Sequence, residues 1–387
     1  MRVLTIGDVG VVDDMVHIGD EAMFEAAVDE FSARGADVTA VSSAPAETAA
    51  RYGVDAVGRL RFDGLDRAAS EARLAAVRDG AAALPSEDPA HALIAAVESA
   101  DGVVVAGGGN LASTWPLHVY ERAALAAVAA RTGTPVVVTG QTFGPHLEGR
   151  DRALVAEMLR TARRVGVRET ASQRLAADMG IDARLGVDDA SFLGMTASDA
   201  ARDGVLVSLS LSLGGAPRDE TVARIAALVD AAADTVGGAV RFHAHFGPLS
   251  GDTPRGDAVL HEEVRAQMRT PSGVVASGDA RTAAALARSS ALLITGRYHP
   301  AVFAAPAGVP VLGLVTDEYT AVKQRGALAH WGQDAVVPIT GADSHGIPAL
   351  TRLWVQRREL AEAAAQRRPR HRADAQAWWD ELAAVFG

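Results

Sequence analysis

The segment Leu292-Leu293-Ile294-Thr295-Gly296-Arg297-Tyr298-His299-Pro300 carries the strongest chemical signal in this 387-residue chain. An apolar run ends at Gly296, an arginine and a histidine follow two residues apart, and Pro300 suits the first turn of a helix. At a strand-to-helix junction these residues form an anion site. The guanidinium grips a carboxylate or phosphate with two parallel hydrogen bonds, helix N–H groups add donors, and the imidazole exchanges a proton near neutral pH. An Arg-x-His pair serves equally as a surface ion pair beside a helix cap, so its place in the fold must decide.

Other junctions repeat the pattern. Val165-Gly166-Val167-Arg168-Glu169-Thr170 is a strand, an arginine and an acidic helix start, although Glu169 suits a helix N-terminus on dipole grounds alone. Val103 to Ala112 places Gly107, Gly108, Gly109 and Asn110 after a strand, where backbone can approach a ligand closely. Its Gly107-x-Gly109-x-x-Ala112 spacing fits the dinucleotide fingerprint formally, but it lies deep in the chain, and Thr139-Gly140-Gln141 offers no acid for a ribose. Trp115, His118 and Tyr120 follow, either as a sugar-stacking wall or as core. In His17-Ile18-Gly19-Asp20-Glu21, Asp20 fits an N-cap. His243 and His245 stand at i and i+2 near a strand end; with Asp252 or Asp257 they suggest a metal site, but substrate contact by one of them is favoured.

The elements that must position these residues alternate between β-branched runs and Ala-rich helical stretches, the pattern of parallel sheets with crossover helices. Strands are expected at Val3–Ile6, Asp37–Val41, Val103–Ala106, Pro135–Gly140, Arg164–Val167 and Arg184–Val187. After a break at Met195 to Asp203 a second series is expected at Val205–Leu209, Ala239–His243, Gly273–Ala276, Ala291–Thr295 and Val309–Leu314. The fold class is therefore α/β, with two Rossmann-like domains, 1–198 and 199–387, facing across a cleft. Two C-terminal helices, Leu350–Gln366 and Ala373–Phe386, joined by the basic run Arg367 to Arg372, would pack back across both. Residues 58–100 form an Ala- and charge-rich helical insertion of no legible role.

Composition removes many chemistries. The apolar content of 49% describes a folded protein, and a formal charge of −11 disfavours nucleic acid. The absence of cysteine excludes disulfides, thiolate nucleophiles and Cys-ligated metals. Lys323 is the only lysine and lies between Val322 and Gln324, so there is no P-loop. No Gly-x-Ser-x-Gly elbow or His-Glu-x-x-His motif occurs. The N-terminus lacks the features of a signal peptide, and the apolar stretch Ala301–Val315 is short and contains Pro306 and Pro310, so a cytoplasmic protein is expected.

Taken in order, Gly19-Asp20-Glu21, the Gly107-Gly108-Gly109 turn, Gly140-Gln141-Thr142-Phe143-Gly144-Pro145, Val167-Arg168-Glu169 with Ser172, and Gly296-Arg297-Tyr298-His299 resemble the polysaccharide pyruvyl transferase family. Gly308-Val309-Pro310 continues the match, which covers most of the chain. The resemblance implies a GT-B-like fold and transfer of pyruvate from phosphoenolpyruvate onto a sugar of a cell-surface glycan or its precursor as a ketal. It implies a donor site of Gly296, Arg297 and His299 helped by Arg168, with Arg297 and His299 catalytic. The acceptor is expected on the N-terminal domain near Asp20, Glu21, Gly108 and Asn110. No cofactor or metal is implied, phosphoenolpyruvate being a substrate. The family commonly has Asn where His17 stands, which implies a different contact on that loop, and Lys323 falls loosely where members carry a lysine.

Two other functions compete. A GT-B glycosyltransferase using a nucleotide sugar would share the fold, though the widely spaced glutamate pair of many retaining enzymes is absent. A non-catalytic binding protein would keep the anion site without turnover. The run Arg367 to Arg372 adds an expectation of peripheral contact with an anionic inner-membrane surface carrying lipid-linked sugars, against a plain solvated linker.

Overall fold

The computed structural model describes residues 1–196, 202–251 and 253–387. The strands, in chain order, are β1 (Arg2–Ile6), β2 (Met15–His17), β3 (Asp37–Ser42), β4 (Asp55–Gly58), β5 (Gly102–Val105), β6 (Gly108–Leu111), β7 (Val136–Phe143), β8 (Arg164–Val167) and β9 (Arg184–Leu185). They continue with β10 (Val205–Ser208), β11 (Val240–His243), β12 (Phe246–Pro248), β13 (Ser272–Val275), β14 (Leu292–Thr295), β15 (Val311–Val315) and β16 (Val336–Pro338). The chain divides into two units. The first is Met1–Val12, Met23–Asp189 and Ala373–Gly387; the second is Asp13–Ala22 and Ala190–Arg372.

The first unit is built on an eight-stranded parallel sheet in the order β4-β3-β1-β5-β7-β8-β9, with β6 also paired to β7. Alternation along its strands feeds two cores. Leu4, Ile6, Val103, Val105, Val136 and Val138 face one, while Val3, Val104 and Val137 face the other. The segment 58–100 covers the first face: it contains the helices Arg67–Asp79 and Ala90–Ser99, and buries Leu60, Phe62, Leu74, Val77, Leu93 and Ile94. Asp66 starts the first of these helices by accepting from Ala69 N at 2.8 Å. The other face is covered by Phe24 and Phe31 and by Trp378, Trp379, Leu382 and Phe386 from the chain's end. A Cβ on Gly102 would lie 2.1 Å from the Phe386 ring, so a glycine is required for that close approach.

The second unit has a six-stranded parallel sheet in the order β13-β11-β10-β14-β15-β16. The short strand β2 pairs antiparallel with β12, with His17 opposite Phe246, and this assigns residues 13–22 to the second unit. The long-helix residues Ala349, Leu350 and Leu353 enter its core beside Val205, Ile225 and Leu312.

The α/β class with parallel sheets matches the sequence expectation. The expected boundary at 198/199 lies outside the described residues, as does Asp252. The two domain segments differ from the expected ones at their ends, because 13–22 and 373–387 change sides through long-range pairing and packing. The C-terminal region also differs: one continuous helix, Gly346–Ala383, replaces two helices and a linker, with Pro369 inside it. Packing overrides the proline here. Arg368 Nε donates to Pro306 O at 2.9 Å, and the His371 ring packs 4.9 Å from Trp331.

Candidate active site

In the second unit, β14 is buried throughout and is followed by Gly296, whose N–H donates to Ser208 O at 2.9 Å. Arg297 follows in extended backbone and precedes the short helix Tyr298–Ala304, every residue of which is buried. Its N–H donates to Thr295 Oγ1 at 3.0 Å, and its carbonyl accepts from Gln324 Nε2 at 2.9 Å. Its guanidinium donates from Nε and Nη2 to the two oxygens of Asp257, at 2.8 and 2.5 Å. Asp257 is fully buried and also accepts from the N–H groups of Leu211 and Phe246, at 3.1 and 2.9 Å. Those four donors are what allow a carboxylate to lie in the interior. Arg297 remains 28% exposed, and Nη1 takes no part in the pair.

His299 is buried, with its ring edge-on to Tyr298 and near Phe303. It lies against Gly19, where a Cβ would sit 2.0 Å from the imidazole Nδ1. Only a residue without a side chain fits there. The Gly19-Asp20-Glu21 and Arg297-Tyr298-His299 segments therefore meet within one unit. The N–H of Ile18 donates to His245 O at 2.9 Å, and His17 stacks on Phe246 with ring centroids 4.0 Å apart. Asp20 and Glu21 stand in the first turn of the helix Ile18–Ala33. They were expected beside Gly108 and Asn110 in the N-terminal domain. The β2–β12 pairing assigns them to the same unit as Arg297 and His299.

Lys323 and Gln324 come from the helix Glu318–Ala329, which Asp317 starts by accepting from Thr320 N at 2.8 Å in a capping box. The Lys323 ammonium lies 5.1 Å from the Tyr298 ring centroid and donates to Tyr319 Oη at 3.1 Å. Lys323 has only a loose positional match in the sequence, and Asp257 stands out there only as a metal ligand. A buried acid opening a helix, forty residues before the arginine, has no local signature.

Three further histidines surround this region. Burial lowers His243 to about 4, countered weakly by a backbone hydrogen bond to Ala276. His261 is also lowered to about 4, burial outweighing the attraction of Asp257; its Nε2 accepts from Leu209 N at 2.9 Å. His245 is held well below its usual value by burial and by His243, His299 and Arg297. All three are neutral imidazoles at pH 7. His243 and His245 pack edge to face, 5.1 Å apart. Among the described residues no three His, Asp or Glu side chains gather as a metal ion would need.

In the first unit, Arg168 is 1% exposed. Its Nε donates to Thr142 Oγ1 at 2.8 Å, and Nη1 pairs with Asp188 at 2.7 Å. Glu169 accepts from Thr142 Oγ1 at 3.0 Å and from Ser172 Oγ. Asp189 packs beside this group, accepting from Thr139 Oγ1 at 3.1 Å; burial, then the neighbouring Asp188, push its carboxyl up to about 8. Gly108 and Asn110 form β6, next to Gln141 on β7, and Asn110 is 9% exposed. The structure thus groups Gly296, Arg297, His299, Asp20 and Glu21 in one unit and Arg168, Gly108 and Asn110 in the other.

A family model described as polysaccharide pyruvyl transferase matches residues 17–318. The chain belongs to the polysaccharide pyruvyl transferase family. This pyruvyl transferase homologue is accordingly a transferase of polysaccharide biosynthesis. None of the curated proteins matches the sequence. Among solved structures, UDP-GlcNAc 2-epimerase from Neisseria meningitidis is 12% identical, with 94% of each chain covered and a TM-score of 0.58. A glycosyltransferase from Rickettsia africae is 11% identical, covering 100% of this chain and 97% of its own, with a TM-score of 0.58. The glycosyltransferase SnogD from Streptomyces nogalater is 17% identical, covering 100% and 99%, with a TM-score of 0.51. These likenesses show the GT-B-like fold that the family member shares. Among the described residues no helix is long and apolar enough to cross a membrane.

Proposed function

We propose that this transferase moves the pyruvyl group of phosphoenolpyruvate onto a sugar of a cell-surface glycan or its precursor, forming a ketal. The observation that carries the proposal is the seating of His299 against Gly19 beside Arg297, which joins two family segments around a basic group. Phosphoenolpyruvate carries roughly three negative charges near neutral pH and needs several donors. Asp257 neutralises part of Arg297, so Lys323 is the second cation of the donor site. In this scheme His299 donates a proton to the methylene carbon of the enol. A sugar hydroxyl attacks the resulting oxocarbenium carbon and passes its proton to the now neutral His299. Phosphate then leaves with its electron pair and takes up the proton of the second hydroxyl, which closes the ketal. Arg168, buried in its own ion pair, acts as a positioning residue for the first unit. Gly108 and Asn110 belong to the acceptor side of the first unit, while Asp20 and Glu21 lie in the second. No resident cofactor enters the scheme.

A nucleotide sugar is the competing donor, because relatives of the same fold include a structure solved with UDP-GlcNAc. A role for Arg367 to Arg372 at a membrane would rest on Arg367, Arg370 and Arg372, which are exposed, since Arg368 donates to Pro306 O. Calorimetric titration with phosphoenolpyruvate, UDP-GlcNAc and GDP-mannose tests the donor. Binding of phosphoenolpyruvate that disappears in Arg297→Ala is expected, and His299→Ala should bind the donor while releasing no phosphate. Tight binding of a nucleotide sugar with none of phosphoenolpyruvate would overturn the proposal.

A further inference from the structure

The first unit carries a polar group that the donor chemistry does not use. Asp8 follows β1, Arg59 follows β4, and His118 and Arg122 lie in the first turns of the helix Pro116–Thr132, which follows β6. All therefore stand at the carboxyl edge of the parallel sheet, where open α/β folds take their ligands. One oxygen of Asp8 is approached by His118 Nδ1 at 3.0 Å, Arg122 Nη2 at 3.1 Å and Arg59 Nη2 at 3.2 Å. Burial acts to raise the Asp8 carboxyl, but Arg122, His118 and Arg59 outweigh it and hold it well below the usual range.

An ionised carboxylate can only accept hydrogen bonds, so the His118 contact requires the proton on Nδ1. Arg122 Nη1 lies 3.3 Å from that same nitrogen and donates to it only in the other tautomer. In the neutral ring that carries this proton, the lone pair is on Nε2. The side chain of His118 is 19% exposed, so this lone pair sits on a reachable ring. Arg122 is fully buried, and its Nε has no hydrogen-bond partner. Glu121 completes the group: it accepts from Leu60 N at 2.5 Å, and burial raises its carboxyl against the pull of Arg59 and Arg122. A set of this kind inside a folded core without a ligand is costly, because each unpaired buried donor carries its desolvation penalty.

Beside it, Trp115 occupies the N-cap position of the same helix and is 45% exposed. Its carbonyl accepts from His118 N at 3.1 Å, which places the two residues on one turn. Its aromatic neighbours in sequence and fold behave differently: Tyr120 is buried and stacks with Phe62, with its hydroxyl donating to Glu71 at 2.6 Å. An exposed indole on the same turn as a planar imidazole acceptor suits a pyranose, which has an apolar face of C–H bonds and a rim of hydroxyl donors.

We propose that the first unit binds the sugar acceptor here, with the pyranose face on Trp115 and one hydroxyl donating to Nε2 of His118, whose orientation Asp8 fixes. The term acceptor rests on the pyruvyl-transfer proposal; sugar binding itself is measurable without any donor. The test is saturation-transfer NMR on the full chain with the methyl β-glycosides of glucose, galactose, N-acetylglucosamine and N-acetylmannosamine. At least one should bind, with transfer lost in Trp115→Ala, kept in Trp115→Phe and weakened at least tenfold in His118→Asn. The asparagine keeps a donor for Asp8 and removes the Nε2 acceptor, so it separates recognition from folding. Absence of binding by all four glycosides, or equal binding by wild type, Trp115→Ala and His118→Asn, overturns the assignment. Phosphoenolpyruvate titration of the same variants should be unchanged, so failure here leaves the donor proposal standing and failure there leaves this one.

Discussion

At the scale of single residues, the proposed donor site depends on two contacts that leave no trace in local sequence. Asp257 binds both prongs of Arg297 and thereby fixes where Nη1 points. Asp257→Asn keeps the shape but offers one acceptor oxygen and no charge. The expected result is a KM for phosphoenolpyruvate raised about tenfold or more with a smaller change in kcat, since a lost charge-assisted bond costs about 1.5–3 kcal/mol. Steady-state kinetics with phosphate detection would show it, and an unchanged KM would mean that Arg297 does not touch the donor. The second contact is Gly19 against His299. Gly19→Ala pushes a methyl into the imidazole, so turnover should fall by more than tenfold and the melting temperature should drop, overpacking costing about 1–3 kcal/mol, while the far-UV spectrum stays close to wild type. Arg297 and His299 were legible from the sequence because a buried strand, a glycine and two charged groups follow one another. Asp257 and Lys323 were not, because helices from elsewhere in the chain bring them in.

At the scale of elements, strands rich in valine and isoleucine declared themselves, since parallel strands buried on both faces must be continuously apolar. The three-residue strands β2 and β12 did not. Neither is long enough to show a period, and only their pairing with each other makes them strands. The basic run before Ala373 misled for a related reason. Pro369 and four arginines read as a linker, whereas contacts to Pro306, Trp331 and Met195 keep the helix continuous. The chain's last element then acts as a cover for the first sheet. Trp378 Nε1 donates to Thr139 Oγ1 at 2.9 Å, and Trp379 packs edge-on to Phe31 at 5.5 Å. Trp379→Ala should destabilise the first unit by about 3–5 kcal/mol, as large-to-small core changes do. Denaturant unfolding would measure the loss. Phosphoenolpyruvate affinity, which the pyruvyl-transfer proposal assigns to the second unit, should be unaltered under native conditions.

At the scale of the molecule, the two units carry buried titratable groups of opposite sense, so acid should act on them differently. In the second unit His243 and His261 titrate near 4 when folded and near 6.5 in an unfolded chain. Between those values the unfolded state binds more protons, and stability rises with pH. The second unit therefore loses stability as pH falls from 6.5 towards 4, with His245 adding to the loss. In the first unit Asp189 titrates near 8 when folded and near 3.8 when unfolded. Here the folded state binds the extra proton, so stability is largest in acid and declines as pH rises from 4 to 8. Hydrogen exchange at pH 5 and pH 8, read separately over residues 23–189 and 202–372, should show protection shifting towards the first unit in acid. Asp189→Asn isolates the first-unit contribution. The neutral amide removes the burial penalty, so the variant should match wild type near pH 4 and gain stability over it as pH rises to 8, by about 1.4 kcal/mol per unit at most. A variant that is equally or less stable than wild type at pH 8 would mean that the Asp189 carboxylate is compensated within the fold. A second unit whose protection does not fall between pH 6.5 and 5 would mean the same for its histidines.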